Sequence, residues 1–361
     1  VNVISTFSGV GGLDLGLHQA GWRHELLCER DEYRRAVLAE RFPGVTIADD
    51  VSGVRLDGER LRATGPNVDA AGQRMARGCV SLLCGGFPCQ DLSVAGRRAG
   101  LAGDRSGLFF EFARIAESLR PRWLLIENVP GLLTSNGGRD FGVLLGTLAD
   151  VGYGVAWRVL DSRHCGVPQR RRRVFIVACD VGGRAGAERA GQVLAVGTSC
   201  PGHPQAGGEA EPEAADGFGG GVVGPLFTTG DSQRTPVNRQ SVAAGHIVSA
   251  PVTSKWAKGN GGPAGDEAQN LTVTFAGGAT EEGIASPLES LTSNGVRRLT
   301  PRECERLQGF PDDWTLIQWR GKPAPDSRRY AALGDAVTVP VARWLGDRLA
   351  AAVRQDVEVA A

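Results

Sequence analysis

The stretch Ser81-Leu82-Leu83-Cys84-Gly85-Gly86-Phe87-Pro88-Cys89-Gln90 decides how the chain is read. A short apolar run ends in two glycines and turns at Phe-Pro-Cys-Gln, the pattern of a buried strand that delivers a loop to a site. In open α/β sheets ligands bind beyond the carboxyl ends of the strands, which would place Cys89 where chemistry is done. A plain loop thiol is the other reading, and this stretch alone does not separate the two.

Upstream, Val1–Phe7 reads as a strand running into Phe7-Ser8-Gly9-Val10-Gly11-Gly12, after which Leu13, Leu17 and Ala20 recur at helical spacing up to Gly21. Such a turn lets a ligand approach the backbone and meet a helix N-terminus; a tight structural turn has the same look. A second strand, His24–Glu29, ends in a carboxylate 17 residues past Gly12. In dinucleotide-type folds an acid near that offset accepts ribose hydroxyls, while a solvated strand-end carboxylate is the plain alternative. A helix through Ala36–Leu38 and a third strand, Val45–Ala48, lead to Asp49-Asp50. Residues 52–78 are polar and glycine-bearing and read as an elaborated connection with room for one helix.

Downstream, Asp91–Gly107 carries four glycines with Arg97, Arg98 and Arg105 between them, a composition that suits either a loop closing over an anion or a plain surface loop. Leu108, Phe112, Ile115 and Leu119 form a helical core stripe ended by Pro121. Trp123–Glu127 is a fifth strand, bringing Glu127-Asn128-Val129-Pro130 to the same edge as Cys89, and a helix follows over Phe141–Leu148. Two further strands, Gly154–Leu160 and Val174–Ala178, flank Gln169-Arg170-Arg171-Arg172-Arg173. Consecutive arginines are ordinarily a solvated patch, and beside a site they can also hold phosphate or carbonyl oxygens.

From Val181 to Gly224 the Gly/Ala/Glu/Pro-rich composition reads as linker or insertion. A Thr/Ser/Gly/Asn-rich region with a loose internal echo runs on to Gly295, read as a small second domain with Lys255, Trp256 and Lys258 among its donors. Thr300-Pro301-Arg302-Glu303 has the form of a capping box opening a helix. Tyr330–Ala351 is amphipathic and is expected to dock on the first domain.

The bulk numbers agree with a globular enzyme. The 361 residues suffice for a large core and two domains, and 42% hydrophobic with 22% charged residues exclude a disordered or fibrous chain. No apolar run is long enough to span a membrane, and none has the form of a secretion signal. The chain begins with Val and a strand starts almost at once, so a few upstream residues are expected. Eight cysteines (28, 79, 84, 89, 165, 179, 200, 304) form no CxxC pair and no zinc spacing, which fits reduced thiols in a cytoplasm. The 40 basic and 40 acidic residues cancel, leaving any nucleic-acid surface to local clustering.

In this order the pieces resemble the DNA cytosine-5 methyltransferase family over nearly all of the chain outside roughly 52–78 and 181–295. Phe7-Ser8-Gly9-x-Gly11-Gly12 is similar to the family's first motif, Gly86-Phe87-Pro88-Cys89-Gln90 to its nucleophile loop, and Glu127-Asn128-Val129 to the motif whose Glu handles the base ring. Gln169-x-Arg171-x-Arg173 resembles the eighth motif. Arg298-x-x-Pro301-Arg302-Glu303 with Arg306–Pro311 resembles the ninth, and Tyr330–Pro340 the tenth. The family usually has Gly-Asn where this chain has Gly334-Asp335; Asp keeps the acceptor and loses the amide donor.

The resemblance implies an α/β Rossmann-like S-adenosylmethionine-dependent methyltransferase sheet over 1–180. It further implies a linker and irregular β-rich target-recognition domain over 181–297, and a segment 298–361 returning to the first domain. It implies S-adenosyl-L-methionine held by Phe7, Gly9, Gly11, Gly12, Leu13, Glu29 (ribose), Asp50 (adenine amino group), Val51, Pro88, Leu108 and Asp335, with no metal. It assigns catalysis to Cys89, Glu127, Arg171 and Arg173, and DNA contact to Gln90, Ser93, Arg97, Arg98, Arg171, Arg173 and Lys255. The implied partners are double-stranded DNA and, within a restriction-modification system, a cognate endonuclease. The chain is expected to act as a monomer in a bacterial cytoplasm, encoded by the bacterium or a phage.

The chemistry accounts for these residue types. Carbon 5 of cytosine is a poor nucleophile until a thiolate adds at carbon 6, which divides one hard step into two. A free thiol has a pKa of about 8.5, so a nearby positive charge is expected. Negative charge then appears near nitrogen 3, where a carboxylic acid kept protonated by burial can neutralise it. The base must leave the duplex stack first. Enzymes that methylate exocyclic amines carry no thiol at this loop, so Phe-Pro-Cys points to attack through carbon. An RNA methyltransferase of the same chemistry, or a non-catalytic DNA-binding homologue, are the competing readings; the latter is expected to lack Cys89 or Glu127.

Overall fold

The computed structural model describes residues 1–66, 68, 73–74, 78–88, 107–195, 271–273 and 296–360. Its centre is a seven-stranded sheet in the order β3-β2-β1-β7-β8-β10-β9, built from β1 (Asn2–Thr6), β2 (Arg23–Cys28), β3 (Thr46–Ala48), β7 (Leu82–Gly85), β8 (Trp123–Asn128), β9 (Gly154–Asp161) and β10 (Arg172–Cys179). Neighbours are parallel except β10, which runs antiparallel to both β8 and β9. Chain order reverses between β1 and β7, which pair through Ser5–Cys84 and Thr6–Gly85. The crevice beyond their carboxyl ends is the topological switch point, where open α/β sheets bind ligands.

The strands are apolar on both faces because both faces are covered. In β8, Leu124 and Ile126 enter one core cluster, and Trp123 and Leu125 the other. In β10, Val174, Ile176 and Ala178 alternate the same way with Phe175, Val177 and Cys179. The first face is covered by α3 (Leu108–Leu119), through Phe109, Phe112, Ile115 and Leu119, and by α4 (Arg139–Asp150), through Phe141, Leu144 and Leu148. The second is covered by α1 (Gly12–Gln19), α5 (Gly183–Leu194) and the C-terminal α8 (Val339–Ala360). Each fully buried aliphatic side chain in these layers stabilises the fold by about 1.5–3 kcal/mol.

Two expectations need correction. Residues 52–78 hold no α-helix among the described residues. Past a 3₁₀ turn at Val51–Gly53 they form a small antiparallel sheet of β4 (Arg55–Asp57), β5 (Arg60–Arg62) and β6 (Gln73–Arg74). Gly58-Glu59 closes the first hairpin and Leu61 is buried beneath it, so the signal was Asp57-Gly58 between alternating residues. The reading of linker from Val181 fails at once, because α5 puts Ala190, Val193 and Leu194 in the core. Gly186 within it is a close-packing position: a Cβ there would lie 1.6 Å from the Val181 carbonyl oxygen. The outer layer of the sheet thus continues past 180. The C-terminal segment is two helices, α7 (Asp326–Asp335) and α8, broken at 336–338.

The remaining described elements are a strand pair, β11 (Leu271–Val273) with β12 (Val296–Arg298), then α6 (Pro301–Leu307) and a short hairpin of β13 (Gln318–Trp319) and β14 (Lys322–Pro323). The Thr300–Glu303 capping box forms as expected at the start of α6. A third core cluster joins α2 (Glu32–Arg41), through Tyr33, Val37 and Leu38, to Cys304, Phe310, Trp314 and Leu333. Helix α8 lies on α1 as the amphipathic pattern requires, and Trp22 Nε1 donates to the Gly346 carbonyl at 3.0 Å. The other expectations for 181–297 fall outside the described residues.

Candidate active site

One side of the crevice begins where β1 runs into the glycine turn. Gly9 N–H donates to Glu29 Oε2 at 2.8 Å and Asp31 N–H to Glu29 Oε1 at 2.8 Å. Glu29 is thereby fixed at the end of β2 by two backbone donors, with lone pairs to spare on each oxygen. Around Gly9 nothing lies within 4 Å of where a Cβ would stand, so the turn is open on that side. At Gly12 the opposite holds: a Cβ would lie 2.3 Å from the Val337 carbonyl oxygen. The segment between α7 and α8 therefore rests directly on the glycine turn.

Along the same edge, Asp50 Oδ1 accepts from Ser52 Oγ at 2.7 Å and Ser52 N–H at 2.8 Å. These bonds, the hydroxyl's first, hold the Asp50 carboxyl below its ordinary range. Val51 and Leu13 are buried, Phe7 and Leu108 are half-buried, and Pro88 is exposed. Phe87 is buried with its ring against Phe109 at 5.2 Å between centroids, which anchors the chain two residues before position 89.

The other side of the crevice is assembled by β7, β8 and β10. Asn128 Nδ2 donates to the Phe87 carbonyl at 2.9 Å, and Asn128 Oδ1 accepts from Val129 N–H at 2.9 Å. This one amide ties the end of β8 to the loop after β7. Glu127, beside it, is 8% exposed. A Cβ on Gly86 would come 2.8 Å from Glu127 Oε2, so glycine is what admits the carboxyl there. Arg173 Nε lies 3.0 Å from Glu127 Oε1. Burial nevertheless raises the Glu127 pKa above its ordinary value, outweighing the opposing pull of Arg173 and then Arg171.

The two arginines assigned together by the resemblance have different surroundings. Arg173 is half-buried against Glu127. Arg171 is buried and its Nη2 donates to the carbonyls of Gly334, at 2.9 Å, and Ala336, at 2.7 Å, which closes the C-terminal end of α7. Burial first, and then Arg173, pulls the Arg171 pKa down to about 9, which leaves it charged at neutral pH. Its own carbonyl accepts from Ser162 N–H and Oγ, and Ser162 Oγ is 2.9 Å from Thr338 Oγ1.

Asp335, between the two carbonyls Arg171 holds, pairs with Arg34 Nη2 of α2 at 2.5 Å. Sequence reasoning missed Arg34, Ser162 and Thr338. Only the Asp in place of the usual Asn hinted at a cation nearby, and nothing local said which one. The structure brings together Phe7, the Gly9–Leu13 turn, Glu29, Asp50, Val51, Pro88, Leu108, Glu127, Arg171, Arg173 and Asp335 along one edge of the sheet. Cys89, Gln90, Ser93, Arg97, Arg98 and Lys255 lie outside the described residues.

The sequence profile of the C-5 cytosine-specific DNA methylase family matches residues 1–190 and 227–351. The type II methyltransferase M2.BsuMI of Bacillus subtilis (strain 168) is 33% identical over 354 residues, spanning 97% of this chain and 75% of that protein. The type II methyltransferase M.NlaX of Neisseria lactamica is 30% identical over 356 residues, spanning 97% and 96%. Among solved structures, the S. pombe Dnmt2 methyltransferase superposes with a TM-score of 0.56 at 16% identity, covering 98% of this chain and 99% of that one. The Entamoeba histolytica methyltransferase EhMeth gives 0.55 at 16% identity, covering 98% of each. These structural likenesses speak to the fold alone.

Proposed function

The chain belongs to the C-5 cytosine-specific DNA methylase family, and on that premise we propose that it transfers a methyl group from S-adenosyl-L-methionine to carbon 5 of a flipped-out cytosine in duplex DNA. The observation that carries this reading is the buried Glu127 carboxyl, admitted by Gly86 at the foot of the Cys89 loop and raised in pKa by that burial. A carboxylic acid at that spot can give a proton to a ring nitrogen at neutral pH.

The residues of the crevice fit the cofactor. Glu29, fixed by Gly9 and Asp31, keeps lone pairs for ribose hydroxyls, the open side of Gly9 leaves room against the turn, and Asp50 presents an acceptor to an adenine amino group. When bound, S-adenosylmethionine supplies an electrophilic methyl group. Every other step falls to the chain and the base. The Cys89 thiolate adds to carbon 6, and Glu127 gives its proton to nitrogen 3 as electron density moves to carbon 5. Arg173 steadies the Glu127 carboxyl and offers further donors to a base carbonyl. After methylation a base takes the carbon-5 proton, the electron pair of that C–H bond restores the carbon 5–carbon 6 double bond, the Cys89 sulfur leaves as thiolate, and nitrogen 3 returns its proton to Glu127. Arg171 acts through others, holding the 334–336 segment against the crevice.

The test is transfer of labelled methyl from S-adenosylmethionine to duplex DNA and to transfer RNA in parallel. Label in duplex DNA that vanishes with Cys89→Ser is the expected result. Label confined to RNA, or undiminished activity in Cys89→Ser, would overturn the proposal.

A further inference from the structure

The four consecutive arginines are not one patch. They enter β10 at the edge where β7 and β8 end, with Val174 opposite Asn128 in register. Side chains in an extended segment alternate between its two sides, and the burial follows that alternation. Arg171 is buried under the 334–336 segment and Arg173 is half-buried on Glu127, while Arg170 and Arg172 are exposed. Neither exposed guanidinium has a carboxylate or hydrogen-bond partner among the described residues. The acid opposite Arg172 across the strands is Asp161, and it already accepts from Arg163 N–H and lies 3.3 Å from Arg163 Nε. The chain as a whole carries equal numbers of basic and acidic residues, so this surplus is a local arrangement.

A solvent-exposed guanidinium keeps its charge at any working pH and presents a planar fork that matches phosphate oxygens. Two such forks stand within three residues of the arginine paired to Glu127, on the solvent side of the same turn. We propose that Arg170 and Arg172 bind two backbone phosphates of the duplex beside the extruded cytosine. This contact is independent of sequence and separate from whatever reads the bases. The inference rests on the function proposed above; where the sequence reading left all four arginines as either a solvated patch or holders of phosphate or carbonyl oxygens, it assigns phosphate to Arg170 and Arg172, which stand outside the family pattern.

Each neutralised phosphate adds about 0.9 to the steepness with which duplex affinity falls on a log–log plot against salt. The test measures binding of sheared genomic duplex DNA to the full chain over a range of salt concentrations. It compares wild type, the two single alanine variants, Arg170→Ala/Arg172→Ala, and Arg184→Ala, whose guanidinium lies 2.7 Å from Glu188 on α5. The expected result is a slope reduced by about one unit in each single variant and about two in the double, with Arg184→Ala and cofactor affinity unchanged. A double variant that keeps the wild-type slope overturns the inference while leaving the proposed reaction standing. Wild type that neither binds nor methylates duplex DNA removes the premise and this inference with it.

Discussion

Arg173 Nε and Glu127 Oε1 stand 3.0 Å apart across the β8–β10 boundary, and burial still holds the carboxyl above its ordinary pKa. Its protonated form therefore persists upward in pH and is lost as pH rises through the raised value. If that form does the work, kcat falls on the alkaline side through Glu127. Arg173→Ala removes the strongest opposing influence, so the alkaline limb should move to higher pH even where the rate itself drops. Glu127→Gln should abolish that limb and cost about 10²- to 10⁴-fold in kcat. Rate against pH for the three proteins checks this.

Arg171 is expected to matter to stability as well as to rate. Its guanidinium satisfies the Gly334 and Ala336 carbonyls in a buried setting. Arg171→Met should destabilise by about 1–3 kcal/mol for each acceptor left buried and unpaired, read as a lower urea midpoint. Arg171→Lys keeps the charge without the fork and should fall between.

Gly12→Ala tests how closely the C-terminal segment packs on the cofactor turn. The added methyl would lie 2.3 Å from the Val337 carbonyl oxygen, and backbone, unlike a side chain, cannot swing aside. A loss of about 1–3 kcal/mol is expected, together with weaker S-adenosylmethionine binding by calorimetry. Gly9→Ala meets no atom within 4 Å and serves as the comparison, although its left-handed φ of 58° carries a strain of its own.

Asp335→Asn restores the family's usual residue and removes the ion pair to Arg34. Both side chains are partly solvated, so the pair is worth at most about 1 kcal/mol. Thermal melts should show a small change that shrinks further in high salt.

The sheet and its two covering layers, α5 apart, were legible because buried strands and amphipathic helices write their periods into the sequence, as 123–128 and 108–119 do. The switch point was legible only through resemblance, since the jump from β3 back to β7 leaves no local trace. Glycine misled at Gly186 because close packing of a helix on a strand selects the same residue as a flexible linker. The Arg34–Asp335 pair joins residues 301 positions apart, and the division of labour within Arg170–Arg173 needs strand register and burial together. Residue types pointed to the chemistry; which guanidinium meets which acceptor is a property of the fold.

The central claim is cytosine-5 methylation of duplex DNA through Cys89. Its most direct measurement is bisulfite sequencing of DNA from a host without cytosine methylation of its own that expresses this chain. Protection of cytosine at one short recurring sequence, absent with Cys89→Ala at equal expression, is the predicted result. Complete conversion with the wild-type protein folded and present, or protection that survives Cys89→Ala, would contradict it.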